Sequence, residues 1–154
     1  MTFKFNDQLK QGHKGEILFM EVFPFELERT DGRGADFIIK LTNQTLELKT
    51  DSYDPLKTSN YFMERYSSKE KQSPGGPFQA ESKGIEYYAY MFSKTKEYTV
   101  FRTKELVKYL NENMDEKKLI GVPNKTYITQ GYKVDRASVA HLVVDVNKEF
   151  KNEI

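Results

Sequence analysis

The chain of 154 residues contains no cysteine. That excludes disulfides, thiolate zinc sites and a thiol nucleophile, and it suits a reducing cytoplasm. Histidine is scarce too: His13 and His141 are too far apart in sequence to suggest zinc catalysis, and each reads as structural. No run approaches the roughly 20 apolar residues of a membrane span, and the start, Met1-Thr2-Phe3-Lys4-Phe5-Asn6-Asp7, has no apolar signal core. The expectation is a soluble protein of the cytoplasm with no membrane partner. Net charge is also lacking, since 24 Lys and Arg stand against 23 Asp and Glu. With no overall basic footprint for nucleic acid, any phosphate-binding surface must be local.

What is present is apolar and aromatic. Hydrophobic residues make up 38% of the chain, with eleven Phe and ten Tyr, which excludes a disordered composition and lets one domain of this length bury a core. Tyrosines stack on bases in some proteins, but this many in one chain read first as core and rim packing.

Taken in order, residues from about Asn6 to Phe23 read as a helix capped by Asn6 or Asp7. Leu9, His13, Glu16, Met20 and Phe23 recur at helical spacing, placing Glu16 on the expected core stripe. A carboxylate there is costly unless paired or near a cation. Gly12 and Gly15 weaken the helix by roughly 1 kcal/mol each relative to alanine, as positions of close packing do. Pro24 ends the helix, Phe25 to Arg29 reads as a strand, and Asp31-Gly32-Arg33-Gly34 as a turn.

The informative stretch is Ala35 to Thr50, which reads as a hairpin. Along its first arm Asp36, Ile38 and Lys40 share one face and Phe37, Ile39 and Leu41 the other; in the second, Glu47 and Lys49 oppose Leu46 and Leu48. A two-residue turn at Thr42-Asn43 pairs Leu41 with Gln44, sets Ile38 against Glu47 and Asp36 against Lys49, and leaves the two acids as diagonal neighbours about 7–8 Å apart. One bridging cation closes such a gap at about 2.0–2.1 Å per Mg²⁺–O bond.

Beyond the hairpin, Asp51 to Ser59 reads as a loop, Asn60 to Tyr66 as a strand, and Ser67 to Gln79 as a long irregular stretch. Ala80 to Phe92 reads as a helix with Lys83 in its first turn, where free N–H groups favour an anion. Tyr98 to Arg102 reads as a strand and Lys104 to Met114 as a helix. Thr126 to Thr129 and Tyr132 to Val134 are short strand-like pieces. Ala137 to Val146, apolar and ambiguous between helix and strand, is either core or the interface of a homodimer.

The pattern Asp36, ten residues, Glu47-Leu48-Lys49 resembles the core motif of the PD-(D/E)XK nuclease superfamily, with Ala35 where the eponymous proline would stand. Glu-x-Lys recurs at Glu81-Lys83, Glu116-Lys118 and Glu149-Lys151, but only Glu47-Lys49 follows an acid-bearing strand across a tight turn. Asn60-Tyr61-Phe62-Met63-Glu64, followed by a Gly-Gly loop and Ser82-Lys83, is similar to a subset of phage-encoded members, with Ser59 where glycine is expected. The resemblance covers about residues 6–105 and leaves 106–154 unassigned. It implies a single α/β (α+β) domain with a restriction-endonuclease-like mixed sheet flanked by helices. It further implies a Mg²⁺ site, open to Mn²⁺, made by Asp36, Glu47, the Leu48 carbonyl and Glu16. Catalysis by Glu16, Asp36, Glu47 and Lys49 follows, with nucleic-acid contacts from Asn60, Ser82 and Lys83.

The expected activity is metal-dependent endonucleolytic hydrolysis, with DNA the expected substrate, in the host cytoplasm if the protein is phage-encoded. The alternative is an inactive nucleic-acid- or protein-binding module on the same fold. Composition by itself favours a plain solvated hairpin face, whose lysine–acid pairs contribute roughly a few tenths of a kcal/mol each. Glu16, the hairpin register and the element order together favour the nuclease site.

Overall fold

In the computed structural model, residues 14–30 and 34–151 are described. A helix over 14–22 (α1) leads into strands β1 (Leu27–Arg29), β2 (Phe37–Ile39), β3 (Gln44–Asp51), β4 (Asn60–Ser68) and β5 (Ser73–Pro74). Helix α2 (Gly76–Ser82), strands β6 (Tyr87–Phe92) and β7 (Glu97–Arg102), and helix α3 (Thr103–Asn113) follow. Strands β8 (Ile120–Pro123) and β9 (Ile128–Asp135) and a short helix α4 (Val146–Glu149) complete the chain, with 3-10 segments at Glu116–Lys118 and Arg136–Leu142. The expected cap at Asn6 or Asp7, Leu9, Gly12, His13 and the turn residues Asp31, Gly32 and Arg33 lie outside the described residues. Among the described residues, no helix is long and apolar enough to cross a membrane.

This is a mixed α+β fold built on β3. A five-stranded sheet runs β1-β2-β3-β6-β7, antiparallel except for the parallel β3–β6 pair, and a four-stranded antiparallel sheet runs β5-β4-β9-β8. The first sheet is covered on both faces. Leu46, Phe37 and Ile39 meet Phe19 and Phe23 of α1 and Phe150 on one side. On the other, Tyr88 and Tyr90 pack with Tyr61 and Met63 of β4, Phe78 of α2 and Leu106 of α3.

That double burial explains the main correction. Tyr87 to Phe92 is a strand, where a helix was expected, and all six residues are buried. A strand covered on both faces carries no period-two alternation and reads as a plain apolar run. The helix lies earlier, with Pro77 in its first turn, and ends at Gly84, whose φ of +72° supplies the left-handed residue of a C-terminal cap.

The core stripe of α1 also differs from expectation. Gly15, Phe19 and Phe23 are buried, whereas Glu16 is only half-buried and Met20 exposed. Gly15 does make the close approach expected of it. A Cβ there would lie 2.6 Å from Thr50 Oγ1, so Gly15→Ala should destabilise the protein by about 1–3 kcal/mol through overpacking. Thermal denaturation of that variant measures it; an unchanged Tm would show that α1 shifts freely over β3.

Residues beyond 105 are integral to the fold. Strand β9 runs unbroken through Gly131 and pairs with β4 from Asn60↔Asp135 to Tyr66↔Gln130. The segment offered as a dimer interface is a 3-10 segment and an extended stretch whose Val139 and Val144 are buried within the protein itself.

Candidate active site

The hairpin forms with a longer turn than expected. Residues 40–43 make the connection, Asn43 supplies a positive φ of 60°, and Ile39 faces Gln44. The register is two residues away from the expected one, so every side chain keeps its face but changes its partner. Phe37 faces Leu46, and continuing one residue sets Asp36 across from Glu47 rather than Lys49. The Leu48 N–H donates to Asp36 Oδ2 at 2.8 Å, so Leu46 and Leu48 direct their backbone groups toward β2. The Asp36–Glu47 position is then of the non-hydrogen-bonded kind, where facing side chains come closest. The Leu48 carbonyl leaves the strand on the same side as its N–H, beside Asp36.

The two carboxyl groups face each other closely enough to be electrostatically coupled, and both titrate above their usual range. Burial is the main cause for each. Glu47 is pushed up to about 7, with the negative charge of Asp36 adding to the burial. For Asp36 the Leu48 N–H and the Glu47 carboxyl partly offset the rise, while the charge of Glu16 adds to it. The two carboxyls are therefore coupled and titrate as a unit.

Lys49 lies two residues beyond Glu47 on the same face, with Nζ 3.4 Å from Glu64 Oε1 of β4. Lys83 is corrected in place. It is the C-terminal cap of α2, not in a helical first turn, and its N–H is already bonded to the Gln79 carbonyl. Its charge nevertheless reaches Asp36 and Glu47 and offsets part of the rise of both. Ser82 is exposed and donates to the Gln79 carbonyl of its own helix. Asn60 opens β4, four residues from Glu64 and so about 13 Å away along the strand. Glu16 is at the rim, its carboxylate paired with Arg29 of β1.

Two groups at the site escape a sequence reading. Tyr88 stands directly across from Glu47 on β6, and burial, then the charge of Glu64 and the other neighbouring acids, raises its phenol well above the usual range. It remains a neutral O–H. Glu64 was visible in the Asn60–Glu64 pattern, but only the crossing of the two sheets brings it to Lys49. Tyr90, across from Lys49, fixes that crossing by donating to Asp51 and accepting the Phe62 N–H at 3.0 Å.

Whether these residues suit a divalent cation turns on the acid pair. Among the described residues no cluster of three or more His, Cys, Asp or Glu is arranged for a metal, and Glu16 is turned to Arg29. Mg²⁺ needs fewer, because it keeps several waters and takes one or two carboxylates. The two facing acids Asp36 and Glu47, with the Leu48 carbonyl beside them, offer a donor set of that size. Comparison with protein-family models, curated proteins and solved structures finds no match.

Proposed function

We propose that the protein is a divalent-metal-dependent nuclease that hydrolyses phosphodiester bonds, with DNA as its substrate. The observation that carries this reading is the placing of the half-buried Asp36 across from the half-buried Glu47, on the same sheet face as Lys49. Asp36, Glu47 and the Leu48 carbonyl would hold Mg²⁺ or Mn²⁺. The ion, when bound, supplies Lewis acidity toward a phosphoryl oxygen and its charge. Lys49 orients the attacking water and stabilises negative charge developing on the phosphoryl group. The exposed Lys83 sits where a flanking phosphate would meet its point charge.

The test begins with metal. Mg²⁺ or Mn²⁺ binding to the native state alone should stabilise it by about 2.7 kcal/mol at a hundredfold excess over Kd, several degrees in Tm. Asp36→Asn should abolish the gain, and cleavage of linear, nicked and branched DNA should need the same ion. A variant that responds to metal as the wild type does places the ion elsewhere. The pairing of Glu16 with Arg29 favours a second reading, a binding module without cleavage. Nucleic-acid binding with no metal-dependent cleavage of any substrate would select it.

A further inference from the structure

Lys49 stands between two anionic neighbours. On its own strand, two residues back on the same face, is Glu47 with Asp36; across the gap to the second sheet is Glu64, 3.4 Å from its Nζ. A lysine ammonium rides on a flexible four-carbon stem, so geometry decides which neighbour it serves. Both members of the Lys49–Glu64 pair are partly exposed, at 31% and 26% of side-chain surface. Such a pair contributes little to stability. Its effect is on where the ammonium sits.

Glu64 itself is tightly held. A Cβ on Gly75 would lie 2.8 Å from Ser67 N and 3.1 Å from Glu64 Oε2, and one on Gly76, at a φ of +48°, would lie 2.9 Å from Glu64 O. The start of α2 thus closes on the backbone and side chain of Glu64 at a distance only glycine permits. Gly75 N–H also donates to the Arg65 carbonyl at 3.1 Å, tying the turn to β4. The backbone from which the Glu64 side chain reaches Lys49 is therefore backed closely by the start of α2.

We propose that Glu64 is a positioning residue that anchors the Lys49 ammonium away from Asp36 and Glu47, keeping the space between those carboxyls open to a divalent cation. Released from Glu64, the ammonium swings to the acid pair and competes with the metal for it. The inference rests on the reading of Asp36 and Glu47 as metal ligands, and adds what keeps their site accessible.

The experiment is a calorimetric titration of Mn²⁺ into the metal-free full chain, without substrate, for the wild type, Glu64→Gln, Lys49→Ala and the double variant. Glu64→Gln should weaken Mn²⁺ binding about fivefold, and in the Lys49→Ala background the same change should alter it by less than about twofold. Glu64→Asp keeps the charge but shortens the reach, and should weaken binding as Glu64→Gln does. It also carries the test if Glu64→Gln fails to fold. Equal loss with and without Lys49, or full affinity in Glu64→Asp, would mean that Glu64 acts through its own charge and would overturn the anchoring role. Wild-type affinity in Glu64→Gln would overturn it as well. If the wild type binds no Mn²⁺, the metal-site reading has failed and the anchoring role falls with it; if the wild type binds and the cycle is additive, only the anchoring role falls.

Discussion

Glu47→Gln should make the metal-free protein more stable at pH 8 while ending the proposed response to metal and the proposed cleavage of DNA. The Glu47 carboxyl titrates at about 7 in the folded chain, against a usual value of 4.5. A folded pKa above the unfolded one contributes stability that is complete below pH 4.5 and is lost as pH rises through 7. The loss is on the order of 2 kcal/mol after allowing for solvent screening of a partly exposed group. Glutamine never ionises, and its amide can donate to Asp36 as the protonated acid does. The variant should therefore melt about 5 °C above the wild type at pH 8 and together with it at pH 5. Two thermal scans at each pH decide the matter. If the variant melts at or below the wild type at pH 8, the two acids are not in conflict, and a cation has no strain to relieve.

Lys49→Ala should remove cleavage while leaving substrate binding in Ca²⁺ nearly intact. Lys49 is assigned to the transition state, where charge builds on the phosphoryl group, so its loss belongs in kcat and not in affinity. Groups of this kind contribute about 10²–10⁴-fold. The fold should not suffer, because the Lys49 ammonium has only a partly exposed ion pair to lose. Single-turnover cleavage and a binding isotherm on the same DNA measure the two effects separately. Cleavage at the wild-type rate would remove Lys49 from the mechanism, while equal losses of binding and rate would make it a phosphate contact.

The hairpin was legible in the sequence because alternation of side chains is a local property, and any register with the same parity gives the same faces. Its partners were not, because Asn43 suits the positive-φ place of a two-residue turn and the last place of the four-residue turn that forms. Lys83 was misplaced for a related reason. Gly84 ends α2, and the run Tyr87 to Phe92, buried on both faces, hid the boundary between helix and strand. Thr126 to Thr129 and Tyr132 to Val134 read as separate short pieces, but one strand runs through Gly131 between them. Gly131 is where the Phe62 ring crosses the strand, since a Cβ there would lie 2.6 Å from Phe62 Cζ. Glu64 depends on how two sheets cross and Tyr88 on the long-range parallel pairing of β3 with β6, neither of which a local pattern encodes.

The pairing of β4 with β9 has a consequence for the order of folding. Asp36 and Glu47 belong to one tight hairpin, which closes locally and fast, whereas β4 takes its final place through a strand as distant as Asp135. Non-local pairing of this kind slows folding, because the loop must close before its contacts contribute. The acids thus meet early, in water, where their repulsion is screened and weak. It becomes costly only when β6 adds to the hairpin with Tyr88 and the second sheet docks with Glu64. The electrostatic burden of the site accordingly falls on the late, slow part of folding, and on the proposed reading a metal ion bound at that stage would ease the docking itself.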